Sequence, residues 1–477
     1  SSVKLISLTT KIVIYTIFYN LHMNEKCKLG IFFVAPPFGA LGDPPESTKL
    51  FKERRERIMG ILKRLYPDVE FHSFNITNPQ DISEALNKTK DNVGYIVFLF
   101  NSLHGLVRPI IEDDKPTVLI AETYGAAGDL LLEYSKAKTE GRRILGIVTR
   151  EVESEKLLKR YVRYLHVIHK LRNSKILFIV SPGVKALTNM EFPLSIDLYG
   201  YLRHLQAVFR ITPIVVDSRE FVEKYYSKIS TIEAKKIAEK WMKEAKKVSE
   251  KDEHEIVKSA KLYIAMKKIV EDYKADAIAV DCIVLYRNEF LDAWPCLGFM
   301  ELIRRGEAVP VCEADVCSAV LLLLMKNLAN RPGFINDPSP EMLNDEIIYY
   351  HCFAPITPYK YGDEKIAPYI ITSAHLGGKK ASVYVEAPTG EKVTVVGLSL
   401  EEKILTIHTA EALRNEYSQQ SCSTKIIGKA ETKSIIENYR WKAGWHRVLF
   451  YGEWREQLKE IAALLGLTVV EEDIKKE

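Results

Sequence analysis

Short runs of β-branched and aromatic residues alternate with helix-length amphipathic segments through the N-terminal third of the chain. The apolar runs lie at 29–36, 69–74, 93–100, 116–122 and 143–149, and the segments between them, such as 47–65, carry apolar residues at helical spacing. This alternation is typical of a mostly parallel sheet with helices on both faces. It predicts an N-terminal α/β domain.

The same alternation starts again at residue 174. Its apolar runs lie at 174–182, 211–217, 275–282 and 308–315. Two helices rich in Lys and Glu are predicted at about 232–248 and 253–273, and their mixed charges are typical of solvated helix faces. The repeat of the pattern predicts a second parallel sheet.

From about residue 343 the pattern changes to short strands in quick succession. Segments such as "DEIIYYHCF", "KASVYVEAP" and "KVTVVGLSL" follow one another, with the turn signal "PTGE" between the last two. A helix, a strand and a further helix end the chain. The pattern predicts a mainly antiparallel, barrel-like β domain.

The predicted fold class is therefore α/β, with two Rossmann-like parallel-sheet domains followed by a mainly antiparallel, barrel-like C-terminal β domain. The predicted domain limits are 23–172, 173–342 and 343–477. Residues 1–22 hold an apolar run that is too short, and too interrupted by polar residues, to span a bilayer. We expect an N-terminal extension there, because no small-residue cleavage site of a signal peptide follows, and the alternative is a targeting segment.

Composition narrows the range of partners and compartments. The 67 Lys and Arg residues nearly balance 63 Asp and Glu, and a net charge of +4 gives no reason to expect nucleic acid or a membrane as a partner. Because the seven cysteines are an odd number in a large chain, we expect reduced thiols in a cytoplasmic protein. No CxxC pair occurs, so we expect no zinc ribbon. Abundant Lys and Glu with little Gln are typical of thermophilic proteins.

Acidic residues at the ends of predicted strands are the first candidates for chemistry. Asp281 and Asp315 end two runs of the second sheet, Glu313 lies just before Asp315, and Glu301 lies on a predicted helix between them. Ligands of open parallel sheets bind beyond the carboxyl ends of the strands, so these acids are candidates for one site. Two alternatives remain open: Asp315 as the N-cap of the next helix, and Glu301 as a solvent-facing residue.

Three histidines are candidates to complete such a site. His351 ends a predicted strand, His375 begins a glycine turn, and His446 begins an apolar strand. Two carboxylates with one imidazole suit Mn²⁺, with Mg²⁺ or Co²⁺ as alternatives. Each histidine taken alone is more often a polar residue with ordinary hydrogen bonds. The chain lacks the G-x-G-x-x-G, Walker A and G-x-S-x-G sequences, so no motif indicates a dinucleotide site, a nucleotide-phosphate site or a serine nucleophile.

Two segments resemble a known family. "GFMELI…PVCEADVCSAV" and the downstream "GWHRVLFYGEWREQLKEIAALLGLTVV" are similar to the L-fucose isomerase family, and more distantly to the L-arabinose isomerases. The resemblance implies a Mn²⁺-dependent aldose–ketose isomerase that forms a homo-oligomer, a trimer or a hexamer. It implies Glu301, Asp315 and His446 as metal ligands, with the two carboxylates as the acid/base pair.

The sequence also departs from that family. The 14 residues from Glu301 to Asp315 are a shorter spacing than in its members, and Trp445 stands where relatives often have Asn or His. Through the resemblance we expect proton transfer through a cis-enediolate of a sugar. Asp281, His351, Trp445 and Tyr124 are the expected substrate contacts, with His351 as a substitute ligand. The alternatives are a non-catalytic sugar-binding or regulatory protein, and a different metal-dependent sugar or sugar-acid reaction.

Overall fold

The computed structural model describes residues 26–37, 44–181, 198–249, 252–287, 291–373, 380–418 and 421–475. The chain divides into two compact units. One comprises Ser1–Asn173 with Ala463–Gly466, and the other comprises Ser174–Ala462 with Leu467–Glu477. The predicted N-terminal extension and His375 lie outside the described residues. The three predicted domain limits are finer than this division and stay predictions.

The first unit contains the predicted N-terminal parallel sheet. Its strand order is β2-β1-β3-β4-β5, and every pairing is parallel. Strands β3 and β4 are buried at every residue, as expected of parallel strands that are covered on both faces. The strands are β1 (Cys27–Val34), β2 (Val69–Ile76), β3 (Gly94–Leu99), β4 (Thr117–Glu122) and β5 (Ile144–Thr149), and the helices are α1 (Pro44–Leu65), α2 (Pro79–Lys88), α3 (Arg108–Glu112), α4 (Thr123–Thr139) and α5 (Glu155–Arg172).

The second unit begins with the other predicted parallel sheet, of order β10-β9-β6-β7. A three-stranded sheet, β14-β13-β8, lies in the same unit. The elements up to the barrel are β6 (Lys175–Val180), α6 (Leu198–Phe209), β7 (Thr212–Asp217), α7 (Ser218–Lys224), α8 (Thr231–Glu244), β8 (Lys247–Val248), α9 (Glu253–Tyr273), β9 (Ala277–Val280), α10 (Cys282–Arg287), α11 (Cys296–Arg305), β10 (Val309–Cys312) and α12 (Val316–Ala329).

The predicted barrel-like domain is a closed barrel of six antiparallel strands. Its order is β15-β18-β11-β12-β17-β16, and pairing of β16 with β15 closes it. The barrel begins at Phe334, within the range predicted for the central domain. Its remaining elements and neighbours are β11 (Phe334–Glu341), β12 (Glu346–His351), β13 (Tyr369–Ser373), β14 (Ala381–Val385), β15 (Glu391–Ser399), β16 (Ile404–Asn415), β17 (Thr424–Lys429), α13 (Thr432–Asn438), β18 (Arg447–Tyr451), α14 (Arg455–Leu465) and β19 (Thr468–Glu471).

Among the helices of the described residues, none has both the length and the apolar character needed to cross a membrane.

A buried polar network links three barrel strands to the C-terminal segment. Arg447 Nη2 donates to Glu472 Oε1 at 2.8 Å, and His408 Nδ1 lies 3.0 Å from Glu472 Oε2. The hydroxyl of Tyr349 lies 3.0 Å from Nε2 of His408. Burial alone would raise the pKa of the Glu472 carboxyl, but the Arg447 charge and the hydrogen bond from His408 lower it to about 2.

This network makes the stability of the protein sensitive to acid. The stabilisation by the Glu472 carboxylate is complete above its ordinary pKa of 4.5 and is lost as pH falls towards about 2. We expect Glu472→Gln to lower the free energy of unfolding at pH 7 by about 3–5 kcal/mol, since it leaves Arg447 buried without its charge partner. In wild type the free energy of unfolding should fall between pH 5 and pH 3, and in the variant this fall should be much smaller. Urea unfolding at several pH values measures both.

A matched control is Glu453→Gln, because Glu453 pairs with Lys392 on the exposed surface and should leave stability nearly unchanged. An unchanged acid decline in Glu472→Gln would show that the carboxylate is not the group responsible.

Candidate metal centre

A strained turn follows strand β10 and sets the geometry of the site. The strand predicted through residue 315 ends at Cys312, and Glu313 (φ 57°) and Ala314 (φ 52°) both adopt left-handed backbone conformations. A non-glycine residue in that region costs roughly 1–2 kcal/mol. The backbone N–H of Ala314 donates to the Val280 carbonyl at 3.1 Å, which holds the turn against the neighbouring strand. Strain of this kind is concentrated at functional sites.

Asp315 caps helix α12 and also binds His446. Its Oδ1 accepts from the backbone N–H groups of Cys317 (2.9 Å) and Ser318 (3.1 Å). Its Oδ2 accepts from the Ser318 hydroxyl (2.6 Å) and lies 2.9 Å from His446 Nδ1. Burial alone would raise the pKa of the Asp315 carboxyl, but the bond to His446 and those from Ser318 lower it. The N-cap interpretation is confirmed, and the structure brings Asp315 and His446 together.

The other nitrogen of His446 faces two further carboxylates. Nε2 lies 3.6 Å from Glu313 Oε2 and 3.5 Å from Asp337 Oδ1. When Nδ1 carries the hydrogen that Asp315 accepts, the neutral ring has a lone pair on Nε2, where a metal binds. Burial lowers the pKa of His446, but the bond to Asp315 and the charges of Asp337 and Glu313 outweigh it and raise the pKa. A positive charge, either a proton or a metal ion, is therefore favoured at Nε2.

His351 completes the group. Its ring lies 5.2 Å from the ring of His446, and its Nε2 is 3.6 Å from Glu313 Oε1, so Glu313 contacts both imidazoles. Asp337, His351 and His446 each offer one ligand atom, and these atoms lie within 4.8 Å of one another. Two donor atoms that bind one metal ion at about 2.1 Å in a tetrahedral arrangement are separated by about 3.4 Å, and the pairs His446–Asp337 (3.5 Å) and His446–Glu313 (3.6 Å) have similar spacings.

The donor set fits the cation that the resemblance implies. Imidazole nitrogens with carboxylate oxygens suit borderline and hard divalent ions, Mn²⁺ among them. His351 and His446 are 1% and 6% exposed and Glu313 is 8% exposed, so the charges of this group are largely shielded from water. We call Glu313, Asp337, His351 and His446 the metal cluster.

Glu301 lies in a different environment from the one expected. Its carboxylate accepts from Trp241 Nε1 (3.1 Å) and Arg305 Nε (2.6 Å), and Arg304 Nη1 lies 3.5 Å away. It is 1% exposed, so it is not solvent-facing either. Within the described part of the chain it joins none of the groups of ligand atoms that lie close together. Its partners three and four residues later on α11 are a common helical ion-pair arrangement.

The expected substrate contacts are distributed over both units. Asp281 is buried at the carboxyl end of β9, next to β10, as expected. Trp445 is exposed next to His446 in the chain, and its Nε1 donates to the Pro338 carbonyl at 3.3 Å. Tyr124 belongs to the first unit, where it is exposed at the start of α4 under the Arg150 guanidinium. Its substrate role stays a prediction.

Two residues of the centre went unrecognised in the sequence. Asp337 lies in "INDPSP", where its prolines argue against a strand and hide the position from a pattern search. Tyr201 lies on α6, which packs against α12. It is 6% exposed, and its hydroxyl has no hydrogen-bond partner among the described residues. Burial, with the nearby Cys317 and Asp315, raises the pKa of this phenol, which is therefore a hydrogen-bond donor at neutral pH.

A scan against protein-family models finds no match for the chain, and a search of curated proteins finds none either.

The two acids Asp315 and Glu301 differ in what their removal should do. We expect Asp315→Asn to weaken Mn²⁺ binding by about 10–100-fold, because the carboxylate that orients a ligating histidine is lost. Asn is also a good N-cap, so α12 should be retained. Glu301→Gln should leave Mn²⁺ affinity unchanged and lower stability, since Arg305 loses its buried partner. Isothermal titration of the metal-free proteins and urea unfolding measure both quantities.

The reverse result, with Glu301→Gln abolishing Mn²⁺ binding and Asp315→Asn leaving it intact, would contradict the ligand set assigned to the metal cluster.

Proposed function

We propose that the chain is a metal-dependent aldose–ketose isomerase acting on a sugar. The observation that carries the proposal is the close approach of Asp337, His351 and His446. Glu313 contacts both imidazoles, and Asp315 is bonded to the far nitrogen of His446. The motifs around Asp315 and His446 support the isomerase as the particular reaction. In that proposal the two parallel sheets are the Rossmann-like domains of the family.

The contacts favour a changed ligand set. His446, His351, Asp337 and Glu313 would hold the cation, in place of the Glu301, Asp315 and His446 that the resemblance implies. A bound divalent cation supplies Lewis-acid stabilisation of the negative charge that develops on the sugar oxygens. Mn²⁺ is the proposed ion, with Mg²⁺ or Co²⁺ as alternatives.

In this proposal a carboxylate of the chain transfers the proton between the sugar carbons. Asp315 is a poor base, because the four hydrogen bonds at its oxygens stabilise the ionised form. We assign the transfer between C1 and C2 to Glu313, whose carboxylate is close to His351 and His446 and is shielded from water. A positioned acid–base group of this kind contributes about 10²–10⁴-fold to the rate.

The proposal also covers the cellular compartment and the oligomeric state of the enzyme. All seven cysteines lie within the described residues, where all are buried and none is joined in a disulfide. Reduced thiols support a cytoplasmic protein. We also propose a homo-oligomer, a trimer or a hexamer, on the resemblance alone.

The proposal is tested with a panel of aldopentoses and aldohexoses incubated with the metal-free protein and Mn²⁺. We expect ketose formation from at least one sugar, its loss on chelation and its return with Mn²⁺. Glu313→Gln should lower kcat by about 10²–10⁴-fold. Protein that binds Mn²⁺ and a sugar but forms no ketose would instead be a non-catalytic sugar-binding protein.

We assign Tyr201 a role in binding the substrate. A buried phenol with no partner loses the hydrogen bonds that water would give it, which is unfavourable unless a ligand supplies one. Because it lies near Asp315 at the start of α12, we infer that its hydroxyl donates to a sugar oxygen.

Tyr361 provides a matched control. It is also a buried tyrosine whose hydroxyl has no hydrogen-bond partner in the described part of the chain. Its backbone contacts Asn330, the C-cap of α12, so it lies at the opposite end of that helix from Asp315.

We expect Tyr201→Phe and Tyr361→Phe to fold with unchanged or higher Tm, since each removes an unpaired polar group. With Mn²⁺ and linear polyols such as xylitol and galactitol, only Tyr201→Phe should lose the ligand-induced rise in Tm. An equal rise in wild type and Tyr201→Phe would exclude the assigned role.

A further inference from the structure

Two thiols meet at the carboxyl edge of the second parallel sheet. Cys282 begins α10 directly after β9, and Cys312 ends the neighbouring strand β10. Their Sγ atoms are 3.9 Å apart, and the residues are 2% and 0% exposed. Because ligands of open parallel sheets bind at this edge, the thiols lie where a ligand is expected.

The second group of ligand atoms includes one of these sulfurs. Cys312, Glu313 and His351 each offer one atom, and the three atoms lie within 4.8 Å of one another. The group shares His351 with the first one. Nitrogen, oxygen and sulfur donors therefore meet on one side of the metal cluster, and nitrogen and oxygen donors alone on the other.

The sulfur spacing suits a thiophilic ion. Zinc binds thiolate sulfur at about 2.3 Å, and two sulfurs of one tetrahedral site are then separated by about 3.8 Å. The observed 3.9 Å between Cys282 and Cys312 is close to that value. Sulfur ligands select soft and borderline ions, whereas carboxylates select hard ones.

We propose that the centre has a second cation position that takes a thiophilic divalent ion such as Zn²⁺ or Cd²⁺. Cys312, Glu313 and His351 bind the ion. Cys282 lies outside that group of atoms, but its sulfur is 3.9 Å from that of Cys312 and supplies a second sulfur. Each thiol that binds releases its proton to solvent. Glu313 and His351 are shared with the position proposed for Mn²⁺, so the protein holds one ion or the other, and a thiophilic ion displaces Mn²⁺.

The alternative is that the sulfurs are only small buried side chains, and the chain offers a control for it. Cys352 and Cys422 are also buried, with their Sγ atoms 3.8 Å apart. Over the described residues, neither of them joins a group of metal-ligand atoms. This second pair therefore has nearly the same sulfur spacing as Cys282 and Cys312, but among the described residues it joins no carboxylate in a group of metal-ligand atoms.

The test is a titration of the reduced, metal-free full-length chain with Cd²⁺, followed by the ultraviolet sulfur-to-cadmium charge-transfer band. We expect a band that saturates at one ion per chain in wild type and in Cys422→Ser. Cys312→Ser should lose at least about half of the intensity of the band, with Cd²⁺ affinity lower by on the order of 100-fold and Mn²⁺ affinity within about threefold of wild type.

X-ray absorption at the cadmium edge of the wild-type protein adds a measurement that needs no variant to fold. One or two sulfur neighbours support the proposal. Only nitrogen and oxygen neighbours overturn it, and so does a band that keeps its full intensity in Cys312→Ser or disappears in Cys422→Ser.

This inference deepens the proposed function, but the two fail differently. Wild type that shows the cadmium band and binds no Mn²⁺ would overturn the proposed isomerase and leave the sulfur-containing position standing. Wild type that forms ketose with Mn²⁺ and shows no cadmium band would overturn the sulfur-containing position alone.

Discussion

The hydrogen bond between Asp315 and His446 is the contact on which the rest of the centre depends. It joins the first turn of α12, next to the second parallel sheet, to the start of barrel strand β18, and it spans 131 residues of sequence. A single carboxylate caps the helix and orients the imidazole. Because both side chains are buried, removal of either one leaves the other without its partner in a medium of low dielectric constant. The capping of α12 and the orientation of His446 therefore depend on the same carboxylate.

The turn at Glu313 and Ala314 places the two acids of this centre, at the cost of two strained backbone conformations. An ordinary continuation of β10 would point Glu313 and Asp315 along one face of a strand. Two left-handed residues instead redirect the chain, so that Asp315 reaches the helix N-terminus while Glu313 contacts His351 and His446. The carboxylate of Glu313 also lies near the Cys312 sulfur, which connects the nitrogen and oxygen donors to the thiols.

Sequence patterns predicted the layers of the fold better than the partners of single side chains. Both parallel sheets and the antiparallel barrel follow from alternation and strand spacing, which depend on local burial. Asp315 and His446 were predicted to share a site, and their side chains are in direct contact. Glu301 was expected there, but Arg304 and Arg305 on the same helix and Trp241 from α8 bind its carboxylate.

Asp337 shows the limit of pattern analysis more clearly. Its position beside His446 comes from the pairing of β11 with β18, a contact between distant parts of the chain that no local pattern encodes. The left-handed conformations of Glu313 and Ala314 could not be predicted either, because Glu and Ala are not typical turn residues as Gly and Asn are. Long-range pairing and backbone strain, rather than composition, determine which donors converge.

The central claim is that the cation lies on the Nε2 side of His446, opposite Asp315. Crystals of the full chain grown with Mn²⁺ and measured for anomalous scattering at the manganese edge test it directly. We expect one peak bonded to nitrogens of His446 and His351, with Asp315 still bonded to the other nitrogen of His446. A peak held by Glu301 and Asp315, or none beside His446, would contradict this claim.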